Sequence, residues 1–188
     1  MKVVVVTGTP GAGKTTVLNG ALKKIGETLK IVNYGDEMFS VAEKKGIVSH
    51  RDDMRKKSPD VQKDIQRLAA KSIAEKAKGS PIIVDTHCTI KTPKGYLPGL
   101  PSWVIEELKP SQIILVEADS KDIAGRRARD TTRERDEEAR SEIDEHQMIN
   151  KATAMSYAVY SGATVKVVKN NDGGLDLAVE ELASVLGD

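Results

Sequence analysis

The residues best suited to chemistry stand in one glycine-rich stretch, residues 8–16. Residues 8–15 match the pattern G-x-x-x-x-G-K-[ST] at every fixed position. Glycines allow the backbone to curl so that successive N–H groups surround phosphate oxygens. Lys14 can reach the β- and γ-phosphates of a nucleoside triphosphate, and the Thr15 hydroxyl can ligate Mg²⁺. The pattern therefore predicts a phosphate-binding loop formed by Gly8, Thr9, Pro10, Gly11, Ala12, Gly13, Lys14, Thr15 and Thr16.

The sequence on either side of this loop fits a phosphate site. Residues 3–6 are four consecutive valines, which predict a strand buried on both faces. Apolar residues recur at helical spacing in residues 17–25, so a helix follows the loop. The start of that helix adds free N–H groups and the positive end of its dipole. The alternative is a strand-to-helix turn that binds nothing, but such a turn needs neither three glycines nor a Lys-Thr pair.

A candidate acidic metal ligand, Asp85, ends another predicted strand. Residues 82–85, IIVD, are apolar up to the carboxylate of Asp85. In a P-loop protein this is where a second acid that organises Mg²⁺ is expected. The alternative is an aspartate that caps a helix or a turn. We expect Asp85 and Thr15 to form the metal site.

Arginines supply the remaining charge that a phosphate site needs. Segment 126–140 contains six arginines and no lysine, and Arg51 and Arg55 precede a predicted long helix. Arginine is always charged and binds phosphate in a bidentate manner. We expect an acceptor site near Arg51 and Arg55 and a mobile lid at 126–140. The alternative for the lid is a solvated helix with salt bridges.

The elements that position these residues alternate between short apolar strands and helices. Strands are predicted at 3–6, 29–34, 82–85, 112–117 and 164–168. Helices are predicted after the loop to residue 25 and at 37–45, 50–57, 59–78, 102–108, 120–129, 143–162 and 175–186, with Asp36 marking a helix cap and 86–101 a long loop. Such alternation predicts an α/β fold, a three-layer α/β/α sandwich with a five-stranded parallel sheet. Its site lies at the carboxyl ends of the strands.

Composition limits the class of protein. A length of 188 residues favours one domain, 1–188, and a net charge of +1 argues against a generic binder of nucleic acid or membrane surfaces. The single cysteine, Cys88, has no partner for an internal disulfide. We expect no signal peptide, because the opening apolar run is short and lacks a cleavage pattern, and the sequence contains no apolar run long enough to span a membrane. We therefore expect a cytoplasmic protein.

A guanine-reading N-K-x-D motif, expected of a GTPase, is missing, and motor ATPases usually have longer chains. The chain resembles an archaeal-type adenylate kinase. The matching stretches, in order, are VVVVTGTPGAGKTT, DDMRKKSPDVQKDIQRLA, IIVDTH, TIKTPKGYLPGLP, RRARDTTRERD, EHQ and SGATVKVV. They cover most of the chain, and the IIVDTH stretch and the long loop are the most specific to the family.

The resemblance implies a nucleoside monophosphate kinase fold with a short lid and the reaction Mg·ATP + AMP ⇌ 2 ADP. It implies an AMP-binding helical segment at about 36–78, a lid at about 126–140 and a homotrimer. The implied catalytic residues are Lys14, Arg126, Arg133 and Arg140. The implied AMP-binding residues are Arg55, Thr86, His87 and Lys91.

The chain departs from the bacterial pattern of this family. Bacterial members have D-G-[FY]-P-R after the third strand, whereas this chain has Asp85-Thr86-His87, so Lys91 or Lys94 substitutes for the arginine. The large bacterial lid insert is missing. His87 either contacts the acceptor phosphate or hydrogen-bonds the loop, while Cys88 and His146 are expected to pack. Two other functions stay open: a kinase for another nucleoside monophosphate, and an assembly ATPase.

Overall fold

The computed structural model describes residues 2–26, 29–129 and 139–187. The strands in this part of the chain are β1 (Val3–Gly8), β2 (Lys30–Asn33), β3 (Ile82–Asp85), β4 (Thr89–Thr92), β5 (Gly95–Pro98), β6 (Gln112–Glu117) and β7 (Thr164–Lys169). The α-helices are α1 (Lys14–Ile25), α2 (Tyr34–Lys44), α3 (Pro59–Lys76), α4 (Ser102–Leu108), α5 (Ser120–Arg129), α6 (Arg140–Ser161) and α7 (Leu175–Gly187). A 3₁₀ helix, Arg51–Lys56, lies between α2 and α3.

The central sheet has five strands in the order β2-β3-β1-β6-β7, and every pair is parallel. β1 lies in the middle, where Val5 is in register with Val84 of β3 and Ile113 of β6. Parallel pairing brings the carboxyl ends of all five strands to one edge. The phosphate loop and Asp85 therefore lie at the same edge, as predicted.

Each face of the sheet has its own core. On one face, Val3 and Val5 pack with residues of α3, α4 and α6. On the other face, Val4 and Val6 pack with residues of α1, α5 and α7. Burying a valine side chain contributes about 1.5–3 kcal/mol, so the four-valine run stabilises both layers at once. These two cores confirm the predicted three-layer α/β/α sandwich.

A smaller core lies between α2 and α3. Ala42, Val48 and Ile65 are buried there, with Phe39 and Met54 packed against them. The helical segment at 36–78 thus has apolar contacts of its own.

Residues 86–101 are more ordered than the sequence suggested. They contain an antiparallel hairpin of β4 and β5, in which Ile90 pairs with Leu97 and Lys91 with Tyr96. Residues 93–94 form its turn, and Gly95 has a φ of 114°, a conformation that glycine adopts without strain. The short length of each strand hid this hairpin from the sequence pattern.

The start of α2 also differs from the prediction. The Asn33 side chain accepts a hydrogen bond from the Asp36 backbone N–H at 3.1 Å, so Asn33 caps the helix. The helix therefore begins at Tyr34, and the preceding strand ends earlier than expected. Asp36 lies in the first turn of α2, where its charge favours the helix dipole.

Candidate active site

The phosphate loop takes its shape from its glycines. Gly11 and Gly13 have φ values of 94° and 85°, which residues with a β-carbon rarely adopt. The Ala12 backbone N–H donates to the Thr9 carbonyl oxygen at 3.0 Å and closes the turn. Gly13 is the N-cap residue of α1, so the loop runs directly into the positive end of that helix. This backbone can hold phosphate oxygens.

Lys14 joins the phosphate loop to the end of β3. Its ammonium donates a hydrogen bond to the Thr86 carbonyl oxygen at 2.9 Å and forms an ion pair with the Asp85 carboxylate. The Asn33 side-chain amide donates to the other Asp85 oxygen at 3.2 Å. The phosphate loop and the ends of β2 and β3 are therefore linked through Lys14 and Asp85. The structure thus brings together Lys14, Asp85 and Thr86, three of the residues singled out from the sequence.

The donor set beside Lys14 fits Mg²⁺. Asp85 offers a carboxylate with a side chain 20% exposed, and Thr15 offers an exposed hydroxyl in the first turn of α1. In the part of the chain that the structure describes, no cluster of three or more histidine, cysteine or acidic side chains could form a complete metal cage. Mg²⁺ commonly uses one or two protein oxygens together with substrate phosphates and water. Thr15 and Asp85 suit that kind of site.

Two arginines in the last turn of α5 contact the backbone of the phosphate loop. The Arg126 guanidinium donates to the carbonyl oxygens of Ala12 at 3.3 Å and Asn170 at 2.8 Å, and it pairs with Asp172 at 2.7 Å. Arg127 donates to the Pro10 carbonyl oxygen at 2.9 Å. The root of the predicted lid is therefore anchored on the loop.

The other two predicted lid arginines are placed differently. Arg140 is the first residue of α6 and its side chain is exposed. Arg133 lies outside the described residues, as do the rest of positions 130–138 of the predicted lid.

The predicted acceptor residues occupy separate elements. Arg55 is exposed in the 3₁₀ helix, while its neighbour Arg51 pairs with Asp36. His87 is exposed next to the buried Thr86. Lys91 points to α6, where its ammonium lies 3.3 Å from a carboxylate oxygen of Glu142. The structure brings Thr86 to Lys14 but holds Lys91 on α6.

Two asparagines of the site were missed in the sequence. Asn33 holds Asp85, and Asn170 donates its side-chain amide to the Ala12 carbonyl oxygen at 2.8 Å. Asn170 is only 5% exposed. Each asparagine stands at or just after the carboxyl end of a strand, and that position is the signal that sequence analysis had available.

Cys88 is a packing residue in this structure. It is 1% exposed, and burial raises the pKa of its thiol from 9.0 to about 12. The reactive form of cysteine is the thiolate, which this environment disfavours. Cys88 is therefore no candidate nucleophile.

A phosphate loop that enters a helix, with Lys14 at the sheet edge and two arginines of α5 against the loop backbone, defines the site of a P-loop nucleotide-binding protein. A family model described as an AAA domain matches residues 7–144. The adenylate kinase of Methanothermobacter thermautotrophicus is 59% identical over 186 residues, covering 99% of this chain and 100% of that protein. The adenylate kinase of Methanocaldococcus jannaschii is 57% identical and covers 98% of each. The chain belongs to the AAA-domain proteins and, among them, to the adenylate kinases.

Solved structures support the fold. A shikimate kinase from Bacteroides thetaiotaomicron matches with a TM-score of 0.59 at 12% identity and covers 98% of both chains. A shikimate kinase from Acinetobacter baumannii in complex with shikimate matches with a TM-score of 0.58 at 16% identity, covering 99% of this chain and 93% of that one. At these identities the likeness concerns the architecture only. Among the helices that the structure describes, none combines the length and apolar character needed to cross a membrane.

Proposed function

We propose that this adenylate kinase catalyses the reversible reaction Mg·ATP + AMP ⇌ 2 ADP. The names of the curated relatives support this reaction. The observation that carries it is the position of Lys14, whose ammonium lies between the phosphate loop and the Thr86 carbonyl oxygen. ATP held by the loop and AMP held beside Thr86 would both lie next to the Lys14 ammonium.

The phosphate loop is the donor side of the proposed site. Its inward N–H groups and the start of α1 bind the phosphates of ATP. An oxygen of the AMP phosphate attacks the γ-phosphorus while the bond from that phosphorus to the β–γ bridging oxygen breaks. Protein groups contribute to this step by positioning the reactants and stabilising charge. Lys14 does so at the β- and γ-phosphates.

The acceptor side lies around the end of β3 and the 3₁₀ helix. The exposed guanidinium of Arg55 is suited to the AMP phosphate because it carries a permanent charge and can bind two oxygens. Thr86 and His87 follow Asp85 directly, and the Thr86 carbonyl oxygen accepts a hydrogen bond from the Lys14 ammonium. Lys91 contributes only if its ion pair with Glu142 opens.

Thr15 and Asp85 would hold Mg²⁺, which when bound offsets negative charge on the transferring phosphates. Asn33 orients Asp85 for this role through its hydrogen bond to the second carboxylate oxygen. Lys14 pairs with the other oxygen of the same carboxylate.

The lid in this proposal is segment 126–140. Arg126 and Arg127 connect the last turn of α5 to the phosphate loop, and Arg140 begins α6. Closing over both nucleotides excludes water, which would otherwise hydrolyse ATP. Arg126, Arg133 and Arg140 supply charge around the phosphates in the closed form.

We propose that the enzyme is a homo-oligomer and works in the cytoplasm, with three subunits implied by family resemblance. An apolar stripe on α6 supports self-association: Met148, Met155 and Val159 are 62%, 53% and 83% exposed. With Ala152 they lie at the spacing of one helix face, which is typical of a helix that packs on another surface. Sedimentation of the wild type and of Val159→Glu measures the oligomeric state of each. A monomeric wild type contradicts self-association.

The proposed location in the cytoplasm is supported by Cys88, whose buried free thiol fits a reducing compartment.

A coupled assay tests the proposed reaction. ADP formation from Mg·ATP is measured with AMP, CMP, UMP and GMP in turn, and without any monophosphate. We expect turnover with AMP to exceed turnover with the other monophosphates and with none. Faster turnover with CMP or UMP identifies a kinase for that nucleotide. ATP consumption that no monophosphate increases identifies an ATPase and contradicts the proposal.

A further inference from the structure

Four buried polar side chains connect the phosphate loop to the hairpin and to α6. The Asn150 side-chain amide donates to the Thr9 hydroxyl oxygen at 3.2 Å, and the Thr89 hydroxyl donates to the Asn150 amide oxygen at 2.6 Å. The Thr89 hydroxyl oxygen also lies 3.1 Å from Nε2 of His146. All four residues are at most 5% exposed. We call Thr9, Asn150, Thr89 and His146 the Asn150 network.

The donor and acceptor of each bond follow from the number of protons. Thr89 has one hydroxyl proton, which it gives to Asn150, so its oxygen accepts from Nε2–H of His146. The carboxamide of Asn150 accepts at one end and donates at the other. Because each bond uses a group with few alternatives in a buried setting, removing one member leaves its neighbours unsatisfied.

The backbone around the network is fixed as well. The Cys88 thiol donates to the Asn150 carbonyl oxygen at 3.3 Å, and the Tyr157 hydroxyl donates to the Cys88 carbonyl oxygen at 2.9 Å. The same Tyr157 oxygen accepts from the Leu100 backbone N–H at 3.2 Å. Both ends of the hairpin are thus held on α6, and the residues just before it, Thr86 and His87, leave from a fixed point.

We infer that Asn150 is a positioning residue for phosphoryl transfer. It fixes Thr9, in the loop that holds the donor, relative to Thr89, which follows the acceptor residues Thr86 and His87. A displacement of about 1 Å between reacting groups can lower a rate about 10²-fold, so this spacing matters for chemistry more than for binding. The inference rests on the proposed transfer reaction and on an acceptor at Thr86 and His87.

Thr7 shows that a buried threonine near this site does not need such a network. It is 0% exposed and lies two residues before Thr9 on β1. Its hydroxyl oxygen has no hydrogen-bond partner among the residues that the structure describes. Thr7 is therefore a matched control with the same side chain, a similar depth and no link to Asn150.

The experiment compares isosteric variants in a single-turnover measurement. Thr9→Val, Thr89→Val, the double variant and Thr7→Val, each in excess over Mg·ATP, are mixed with Mg·ATP and saturating AMP in a quench-flow instrument. Single turnover reports the transfer step directly, whereas product release often limits kcat. The wild type tests the proposed reaction by itself, since AMP must be required. The variants then test the network.

We expect Thr9→Val and Thr89→Val each to slow transfer about 10–100-fold while KM for both nucleotides changes less than about threefold. Thr89→Ser keeps the hydroxyl and restores transfer to within about threefold of wild type. The double variant is about as slow as the slower single variant, because either change already breaks the network. Thr7→Val transfers at the wild-type rate.

Three results would overturn the inference. In the first, both single variants transfer within about twofold of wild type. In the second, the losses multiply in the double variant, which means that Thr9 and Thr89 act independently. In the third, Thr7→Val slows transfer as much as the others. If Thr89→Val does not fold, Thr9→Val decides the first and third questions alone.

Discussion

At the residue scale, Lys14 is the side chain on which the chemistry depends most. Its ammonium is already held at the sheet edge by the Thr86 carbonyl oxygen and the Asp85 carboxylate. A charge that is in place before the reaction needs no reorganisation when negative charge develops in the transition state. Lys14 is therefore expected to stabilise the transition state more than the bound substrates.

Replacing Lys14 tests this role. Lys14→Ala is expected to lower kcat about 10²–10³-fold, the scale of one lost preorganised charge. Lys24→Ala is the matched control, since Lys24 lies near the end of the same helix and pairs with Glu180 on the surface. Steady-state kinetics of both variants measure the difference. A Lys14→Ala enzyme with more than about half of the wild-type kcat contradicts the assignment.

Arg55 should affect the acceptor and not the donor. Arg55→Ala removes the guanidinium proposed for the AMP phosphate, so KM for AMP is expected to rise far more than KM for ATP. Arg67→Ala serves as control, because Arg67 is an exposed arginine on the neighbouring α3. Equal changes in both KM values, or none, would identify Arg55 as a solvated surface residue.

The buried thiol of Cys88 should make the stability of the folded protein fall at alkaline pH. Burial raises the pKa of its thiol from 9.0 to about 12, so the folded protein holds this proton more tightly than the unfolded chain. The stability due to Cys88 is thus complete below pH 9 and is lost as pH rises from 9 towards 12. Melting curves should show a smaller loss of Tm over this range for Cys88→Ala than for wild type. Equal losses would show that the thiol has no part in it.

The parts of the site that depend on a short stretch of sequence were predictable. The phosphate loop and Lys14 follow from one motif, and Asp85 follows from its place at the end of a buried strand. Asn33, Asn150 and Asn170 were not singled out, because their roles depend on contacts between segments 52 to 158 residues apart. Neither a local motif nor hydrophobic periodicity shows which distant segments come into contact.

At the element scale, the last turn of α5 contacts the backbone of the phosphate loop through Arg126 and Arg127. Arg126 contacts Ala12, Asn170 and Asp172 through three nitrogens of one guanidinium. Lysine carries the same charge but lacks this planar arrangement of donors. The helix end can therefore be tested without changing the net charge.

Arg126→Lys is expected to lower kcat about tenfold or more, while the Kd for ATP stays near the wild-type value. Lysine keeps the positive charge near the phosphates, so ATP binding changes little. It cannot make the three hydrogen bonds by which the guanidinium fixes α5 to the loop and to Asn170 and Asp172. Arg129→Lys, an exposed position in the same turn, should behave as wild type. Isothermal titration and steady-state kinetics give the two quantities. If Arg126→Lys and Arg129→Lys are equally active, α5 does not act through Arg126.

The elements that were missed are the short ones. β4 and β5 have four residues each, and their alternation is too brief to separate a hairpin from a loop. The helix cap moved from Asp36 to Asn33 because an Asn side chain that accepts a backbone N–H satisfies the helix start. Long, strongly patterned helices were predicted to within three residues at each end. α3 was expected to reach residue 78 and ends at Lys76, and α6 was expected from residue 143 and begins at Arg140.

At the scale of the whole molecule, the alternation of apolar strands with helices was enough to predict the layers of the fold. Val3 and Val5 face one core and Val4 and Val6 the other, which explains why this strand has no polar alternation. The order of strands in the sheet could not be read in the same way. It depends on which buried faces fit together, and several orders place the phosphate loop at the same edge.

In the proposed reaction the γ-phosphoryl group of ATP moves to AMP, so a label on that group moves with it. The most direct test uses ATP labelled with ³²P at the γ-position, incubated with AMP, Mg²⁺ and the enzyme. Thin-layer chromatography then shows where the label goes. Transfer to AMP predicts label at the β-position of newly formed ADP, only when AMP is present, and little labelled inorganic phosphate. Label that appears mainly as inorganic phosphate, at the same rate with and without AMP, would contradict it.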